Sequence, residues 1–445
     1  MTRQAHLNVF LSTGGYHESG WLVQDYDTVT DGGIAHYRSA TRTAERGVLD
    51  SVFLADVPNL TKFRARYFPQ IRWDPITLLA VLGADTSHIG LFGTASTTYN
   101  EPYELARRFA TLDHTTGGRA GWNIVTTSNP AVAANFGLEG HPEHGNRYAR
   151  AAEFVDVVRR LWDGWEDDAI VGDRSSGLWA EPDRIHPADF HGEFYDVAGA
   201  LPVPRPPQGH PVLAQAGSSP AGIDLAGQVA DVVFTPQPTI AAGQAFRAKL
   251  QAASRRHGRD ENSVRILPGL AFVLGSTERE AVERRRELED RADPELRWRN
   301  LAHNAGLDQS LIDPNLPLSP EVAATARSPF AQYIVTEALA SGRPFGELGA
   351  VLTGLPGGLE FTGTPEQLAD LIESWVLEGG SDGFTLQPTT VPDSLELFVD
   401  HVVPILQNRG VHRTEYSGAT LRDHLGLPDI PSPHRAPVSA DSHRR

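Results

Sequence analysis

Residues 89–125 read IGLFGTASTTYNEPYELARRFATLDHTTGGRAGWNIV. An apolar run at 89–97 is followed by a polar turn and an amphipathic stretch at 101–112. A Gly-rich turn then leads to a second apolar run at 120–125. This is strand, crossover helix, strand, the arrangement that two parallel strands need to be neighbours. Within 120–125, Trp122 and Asn123 face opposite ways, because successive side chains on a strand alternate. One of the two points into the interior of the sheet. An asparagine there requires a hydrogen-bonding partner, and a ligand at the strand end is one way to supply it.

The same rhythm extends in both directions. Strands are expected at 6–11, 51–55, 212–216, 231–235, 265–274 and 383–387. Helices are expected at 35–49, 75–87, 148–162 and 394–408. Another opens at Thr364, where Pro365 takes the first turn and Gln367 can complete a capping box. In 148–162, Phe154, Val155, Val157, Val158, Leu161 and Trp162 form one stripe, with Arg159 and Arg160 facing away. Polar or irregular stretches interrupt the pattern at about 163–209 and 275–358. Eight strands, each followed by helix, predict a single α/β domain at 1–430, a (β/α)8 TIM barrel with two insertions. A doubly wound open sheet is the alternative. Residues 431–445 are expected to be a disordered tail.

Composition narrows the function. The net charge is 39 − 56 = −17, unfavourable for nucleic acid or an anionic membrane surface, both of which call for a basic face. No cysteine is present, which removes disulfides, thiolate nucleophiles and Cys-ligated metals. The only lysines, Lys62 and Lys249, end no expected strand, so Schiff-base chemistry is disfavoured. No leader peptide and no apolar run of roughly 18 residues is visible, and a cytoplasmic location is expected.

A barrel carries its chemistry on the loops after its strands. Here those loops hold Phe10, Ser12, Asp56, Ser96, Thr97, Thr98, Asn100, Asn123, Thr126, Thr127, Gln215, Ser218, Ser219, Gln237 and Gln387. These are neutral hydrogen-bonding groups with a single carboxylate, a lining better suited to a heterocycle than to hydrolysis. No His-x-His pair or carboxylate cluster is placed for a metal, and none is expected. Ser218, Ser219 and Pro220 lead into a helix whose unpaired N–H groups could hold a phosphate, with Arg147 and Tyr148 available to the same anion. Simple serine capping explains the same residues.

Three segments carry a family resemblance: 95–103 (ASTTYNEPY), 106–114 (ARRFATLDH) and 117–126 (GGRAGWNIVT). With Asn146-Arg147-Tyr148, 161–163 (LWD), 215–219 (QAGSS), 380–384 (GSDGF), 413–416 (RTEY) and 421–425 (LRDHL), they occur in order along nearly the whole chain. The chain resembles the flavin-dependent monooxygenases of the nitrilotriacetate, EDTA and dibenzothiophene-sulfone type, within the bacterial luciferase-like superfamily. The resemblance implies a barrel that binds FMN as FMNH2, delivered by a separate NAD(P)H:flavin reductase. O2 is then the co-substrate, and a small organic substrate is oxygenated with C–N or C–S cleavage.

Carried over by position, Phe10 and Asp56 would lie near the isoalloxazine. Thr98 and Asn123 would flank its reactive face as catalytic residues, Thr127 would stand where the family has serine, and Tyr148, Ser218 and Ser219 would hold the phosphate. Asp74-Pro75 replaces the Glu-Pro of many members, and 275–358 matches only loosely, so the substrate does not transfer. Relatives imply a homodimer or homotetramer. A deazaflavin-dependent oxidoreductase and a non-catalytic flavin-binding protein are the competing readings. A hydrolase is disfavoured by the missing metal ligands.

Overall fold

The computed structural model describes residues 4–23, 33–60, 62–69, 71–127, 129–138, 144–326, 331–351 and 358–434. The expected tail beyond 434 lies outside these residues. Eight parallel strands close on themselves: β1 (His6–Phe10), β2 (Ser51–Leu54), β3 (Gly90–Ser96), β4 (Ala120–Val125), β5 (Val212–Ala216), β6 (Val232–Thr235), β7 (Arg265–Leu274) and β8 (Gly383–Pro388). β8 pairs with β1, so the sheet is a barrel and the open-sheet alternative is excluded. The sequence missed a ninth strand. Leu359–Gly363 pairs with the outer half of β7, from Leu270 to Leu274, and hangs on the barrel without entering it.

Register decides which side chains share the interior. Phe53 pairs with Phe92, Thr94 with Asn123, Asn123 with Ala214, and Asn8 with Thr385. In a parallel ladder, registered residues point the same way. The lower interior is apolar: Phe53, Phe92, Val212, Val232 and Leu267 pack with Leu421, Leu425 and Leu427 from the C-terminal segment. Gly121 is required in this layer, since a Cβ there would meet the Phe92 ring at 2.4 Å. Trp122 faces outward and packs against Phe109, Phe154 and Trp162 of the surrounding helices, with ring centroids 5.8, 5.8 and 6.5 Å away. Burying aromatic rings of this size contributes about 2–3 kcal/mol each.

The helices match the expected rhythm: Ile34–Arg46, Pro75–Ala84, Pro102–Thr115, His144–Trp162, Pro220–Val229, Ile240–Arg256 and Pro365–Leu377. The Thr364/Gln367 capping box forms. The helix expected at 394–408 is not uniform, because a π turn, Phe398–Val402, interrupts it. Pro404 has no N–H to donate back to Asp400, and the turn widens there. Arg159 does not simply face away. It is half-buried, and its Nη2 donates to the Val229 carbonyl at 2.7 Å. The two insertions add hairpins, Ile170–Asp173 with Leu178–Ala180 and Phe190–His191 with Asp196–Val197, and helices including Glu278–Arg291 and Pro294–Ala305. No helix among the described residues is long and apolar enough to cross a membrane.

Candidate active site

Asn123 is the inward residue of its pair and is only 4% exposed. Its Nδ2 donates to Thr94 Oγ1 at 2.9 Å. Its Oδ1 is buried with no partner among the described residues. Such an acceptor costs about 1–3 kcal/mol if nothing binds it. It stands above the apolar plug and below the open C-terminal rim, where an N–H-bearing ligand would satisfy it.

The rim beside Asn123 is a hydroxyl network. Ser96 Oγ accepts from Thr98 N at 3.1 Å and shares a 2.6 Å hydrogen bond with Thr127 Oγ1. Thr98 Oγ1 donates to the Thr126 carbonyl at 2.8 Å. The Thr98 proton is therefore committed, and its lone pairs are what it can offer a ligand. Thr127 has φ 42°, a left-handed conformation that a β-branched residue rarely adopts. Strain of this kind costs on the order of 1–3 kcal/mol and persists only where neighbours impose it. Here Arg147 Nη1 donates to the Thr127 carbonyl at 2.7 Å, and Arg150 Nη1 to the Thr98 carbonyl at 3.2 Å. Arg150 also lies over the Tyr195 ring at 5.2 Å.

Tyr148 and Ser219 stand near the starts of two helices that pack side by side. Arg159, eleven residues after Tyr148, bonds Val229, ten residues after Ser219. At 1.5 Å of rise per residue the two starts are nearly level. Ser219 caps its helix, its Oγ accepting from Gly222 N at 3.1 Å. Ser218 is exposed just before it, and Tyr148 is half-buried. Phe10 ends β1, stacked on Phe53 (6.1 Å, 25°) and edge-on to Tyr16 (6.2 Å, 89°). Asp56 follows β2 and is half-buried. Burial pushes its carboxyl above the usual range, against the pull of the Arg72 charge.

The eight residues singled out from the sequence thus fall into three groups on one rim. Thr98 and Thr127 are joined through Ser96, while Asn123 bonds separately to Thr94. Tyr148, Ser218 and Ser219 mark two helix starts, and Phe10 and Asp56 occupy the ends of β1 and β2. Sequence reasoning offered Arg147 only as a partner for an anion and missed Arg150. Their signal was a pair of arginines spaced i,i+3, one helical step apart on one face. Among the described residues no group of three or more His, Cys, Asp or Glu could hold a metal.

A closed parallel barrel with an amide-and-hydroxyl rim at the C-terminal ends of its strands is the architecture of a TIM-barrel enzyme. Residues 18–382 match the Luciferase-like monooxygenase family model, and the chain belongs to that family. It is 42% identical over 441 residues to nitrilotriacetate monooxygenase component A of Aminobacter aminovorans, covering 96% of this chain and 97% of that one. EDTA monooxygenase from Chelativorans sp. BNC1 superposes with a TM-score of 0.77 at 35% identity, covering 96% and 99% of the two chains. A riboflavin lyase solved with modified FMN and riboflavin gives a TM-score of 0.83 at 31% identity, covering 96% of each. The family resemblance read from the sequence is borne out, and the enzyme is a monooxygenase.

Proposed function

We propose that the chain is the oxygenase component of a two-component system that takes FMNH2 from a separate NAD(P)H:flavin reductase. It uses O2 to oxygenate a small organic substrate at carbon bound to nitrogen or sulfur. The observation that carries this reading is the buried Oδ1 of Asn123 at the mouth of the barrel, which has no partner among the described residues. Reduced flavin presents ring N–H donors of the kind this acceptor lacks, so the residues present fit the cofactor.

In this reading Asn123 accepts from the ring, and the Thr98 hydroxyl offers a lone pair beside it. Thr127, fixed by Ser96 and Arg147, shapes the wall. Phe10 and Asp56 border the ring system. Tyr148, Ser218 and the N–H groups opening the helix Pro220–Val229 hold the phosphate, where the dipole favours an anion. Bound FMNH2 supplies the two electrons that reduce O2, one oxygen atom entering the substrate and the other leaving as water. The chain's own task is to orient substrate and cofactor and to exclude water. Its neutral rim fits that division of labour. Residues 1–430 acting as one domain, a cytoplasmic location, and a homodimer or homotetramer complete the proposal.

The test is product analysis by mass spectrometry. A flavin reductase, NADH, FMN and labelled O2 are supplied with a panel of aminopolycarboxylates, sulfones and small heterocycles. One labelled oxygen per product is expected. Hydride transfer without oxygen uptake, or FMN binding without turnover of any panel member, would favour the deazaflavin or carrier readings instead.

A further inference from the structure

Beside Phe10 the rim opens into a cavity of about 200 Å³ between the ends of β1 and β2 and the residues Phe68, Pro69, Ile71, Arg72 and Trp73. Its walls are largely apolar, and Phe10, Tyr16, Tyr37, Phe68 and Trp73 supply aromatic rings to them. The walls are tied together from inside. Thr13 Oγ1 hydrogen-bonds Tyr37 Oη and the Ile71 carbonyl, both at 3.2 Å. The cavity is therefore a built feature of the fold.

Among the described residues one cation lines this cavity, Arg72. It makes no hydrogen bond or ion pair among the described residues. Most arginines elsewhere on the surface are paired with carboxylates, as Arg38 is with Asp85 and Arg409 with Glu373. Its charge acts on Asp56 at the end of β2 without forming an ion pair, and the adjoining Asp74 is the cap of the helix Pro75–Ala84. Asp74 is already engaged as a cap by the Thr77 backbone and hydroxyl. Arg72 is thus a guanidinium with open donors at the lip of an aromatic slot, a geometry suited to gripping a carboxylate or a similar planar anion.

We propose that this cavity is the acceptor-substrate subsite, and that it takes an organic anion with an aromatic or similarly flat apolar body, held by ring stacking and anchored at its charged end by Arg72. The inference deepens the monooxygenase reading, on which it rests for its place next to Phe10 and Asp56. The apolar body lies among Phe10, Tyr16, Phe68 and Trp73, facing the centre of the barrel. The anion lies outward at Arg72, so one end of the molecule is presented for oxygenation and the other stays at the lip. A hydrophobic slot of this size discriminates weakly by itself, whereas a charge matched to an unpaired guanidinium discriminates acid from neutral isostere strongly.

The experiment is calorimetric titration of the full chain, with and without saturating oxidised FMN. It uses 2-naphthoate and the neutral isostere 2-naphthamide as probes. The acid is expected to bind at least tenfold more tightly than the amide, and to bind in the presence of FMN. Arg72→Gln should weaken the acid by about tenfold and leave the amide and FMN affinities unchanged, with Arg72→Lys falling between. Equal binding of acid and amide, an Arg72→Gln variant that holds the acid as tightly as wild type, or no binding of either probe would overturn the proposal. Mutual exclusion of naphthoate and FMN would overturn it too, by giving the cavity to the cofactor. Failure of FMN to bind at all would strike the flavin reading alone, because the naphthoate pair is compared without FMN as well.

Discussion

Replacing Asn123 with alanine separates a catalytic role from a structural one, because the energetic contributions have opposite signs. The side chain makes one hydrogen bond, from Nδ2 to Thr94 Oγ1, with a net contribution of about 1 kcal/mol. Its Oδ1 is buried without a partner among the described residues, at a cost of about 1–3 kcal/mol. Asn123→Ala removes both, so folding stability is expected to change by less than about 2 kcal/mol in either direction. Turnover behaves differently. A positioned group at the reacting centre is worth about 3 kcal/mol of barrier, which is roughly a hundredfold in rate. The assay pairs labelled-oxygen incorporation, with FMNH2 supplied by a reductase, against the melting temperature of the same preparation. A hundredfold slower enzyme that melts within a few degrees of wild type is the expected result. Wild-type turnover in the folded variant, or a loss of turnover that simply follows a large loss of stability, would refute the assignment.

Three further outcomes are expected. FMN should bind more tightly than FAD in anaerobic titrations of the reduced forms, because the phosphate site proposed at Tyr148, Ser218 and Ser219 is built for a terminal monophosphate; equal affinity would count against that placement. The purified chain with FMN but no reductase should oxidise NADH no faster than FMN alone, since no Gly-x-Gly-x-x-Gly follows any of its strands. Stability should fall with acidification between pH 6.5 and 4. Burial, aided by the Arg413 charge, lowers the His424 pKa from 6.5 to about 4, so in that window the unfolded chain binds the proton that the folded chain refuses. His424→Phe, which fills the same site beside Tyr416 without titrating, should flatten the melting-temperature profile there, and an unchanged slope would mean that other groups set it.

The C-terminal segment shows how far the sequence reading reached and where it stopped. Leu421, Arg422 and Leu425 were legible as part of a family pattern. Nothing in the order of residues said that Leu421 and Leu425 would plug the bottom of the barrel against Phe92 and Val212. Nor did it say that Arg422 Nη2 would meet the buried Asp231 at 3.1 Å. These contacts join residues roughly two hundred or more positions apart, and hydrophobic periodicity reports only on near neighbours along the chain. Arg159 failed for the same reason. Its helix period placed it outward, but a second helix lies on that side.

The sequence by itself determined the eight strands, the crossover helices between them and the cap at Thr364, because each rests on local steric and periodic rules. It also determined the neutral chemistry of the strand-end loops and the family pattern spread along them. Only the tertiary structure decided that the sheet closes, that Asn123 and not Trp122 looks inward, and that Thr127 is held in a left-handed backbone by Arg147. Those outcomes depend on register around a full circle of strands and on a guanidinium brought in from a separate helix. A strand's alternation fixes that its neighbours point opposite ways, but which of them faces inward is settled only when all eight strands are packed together.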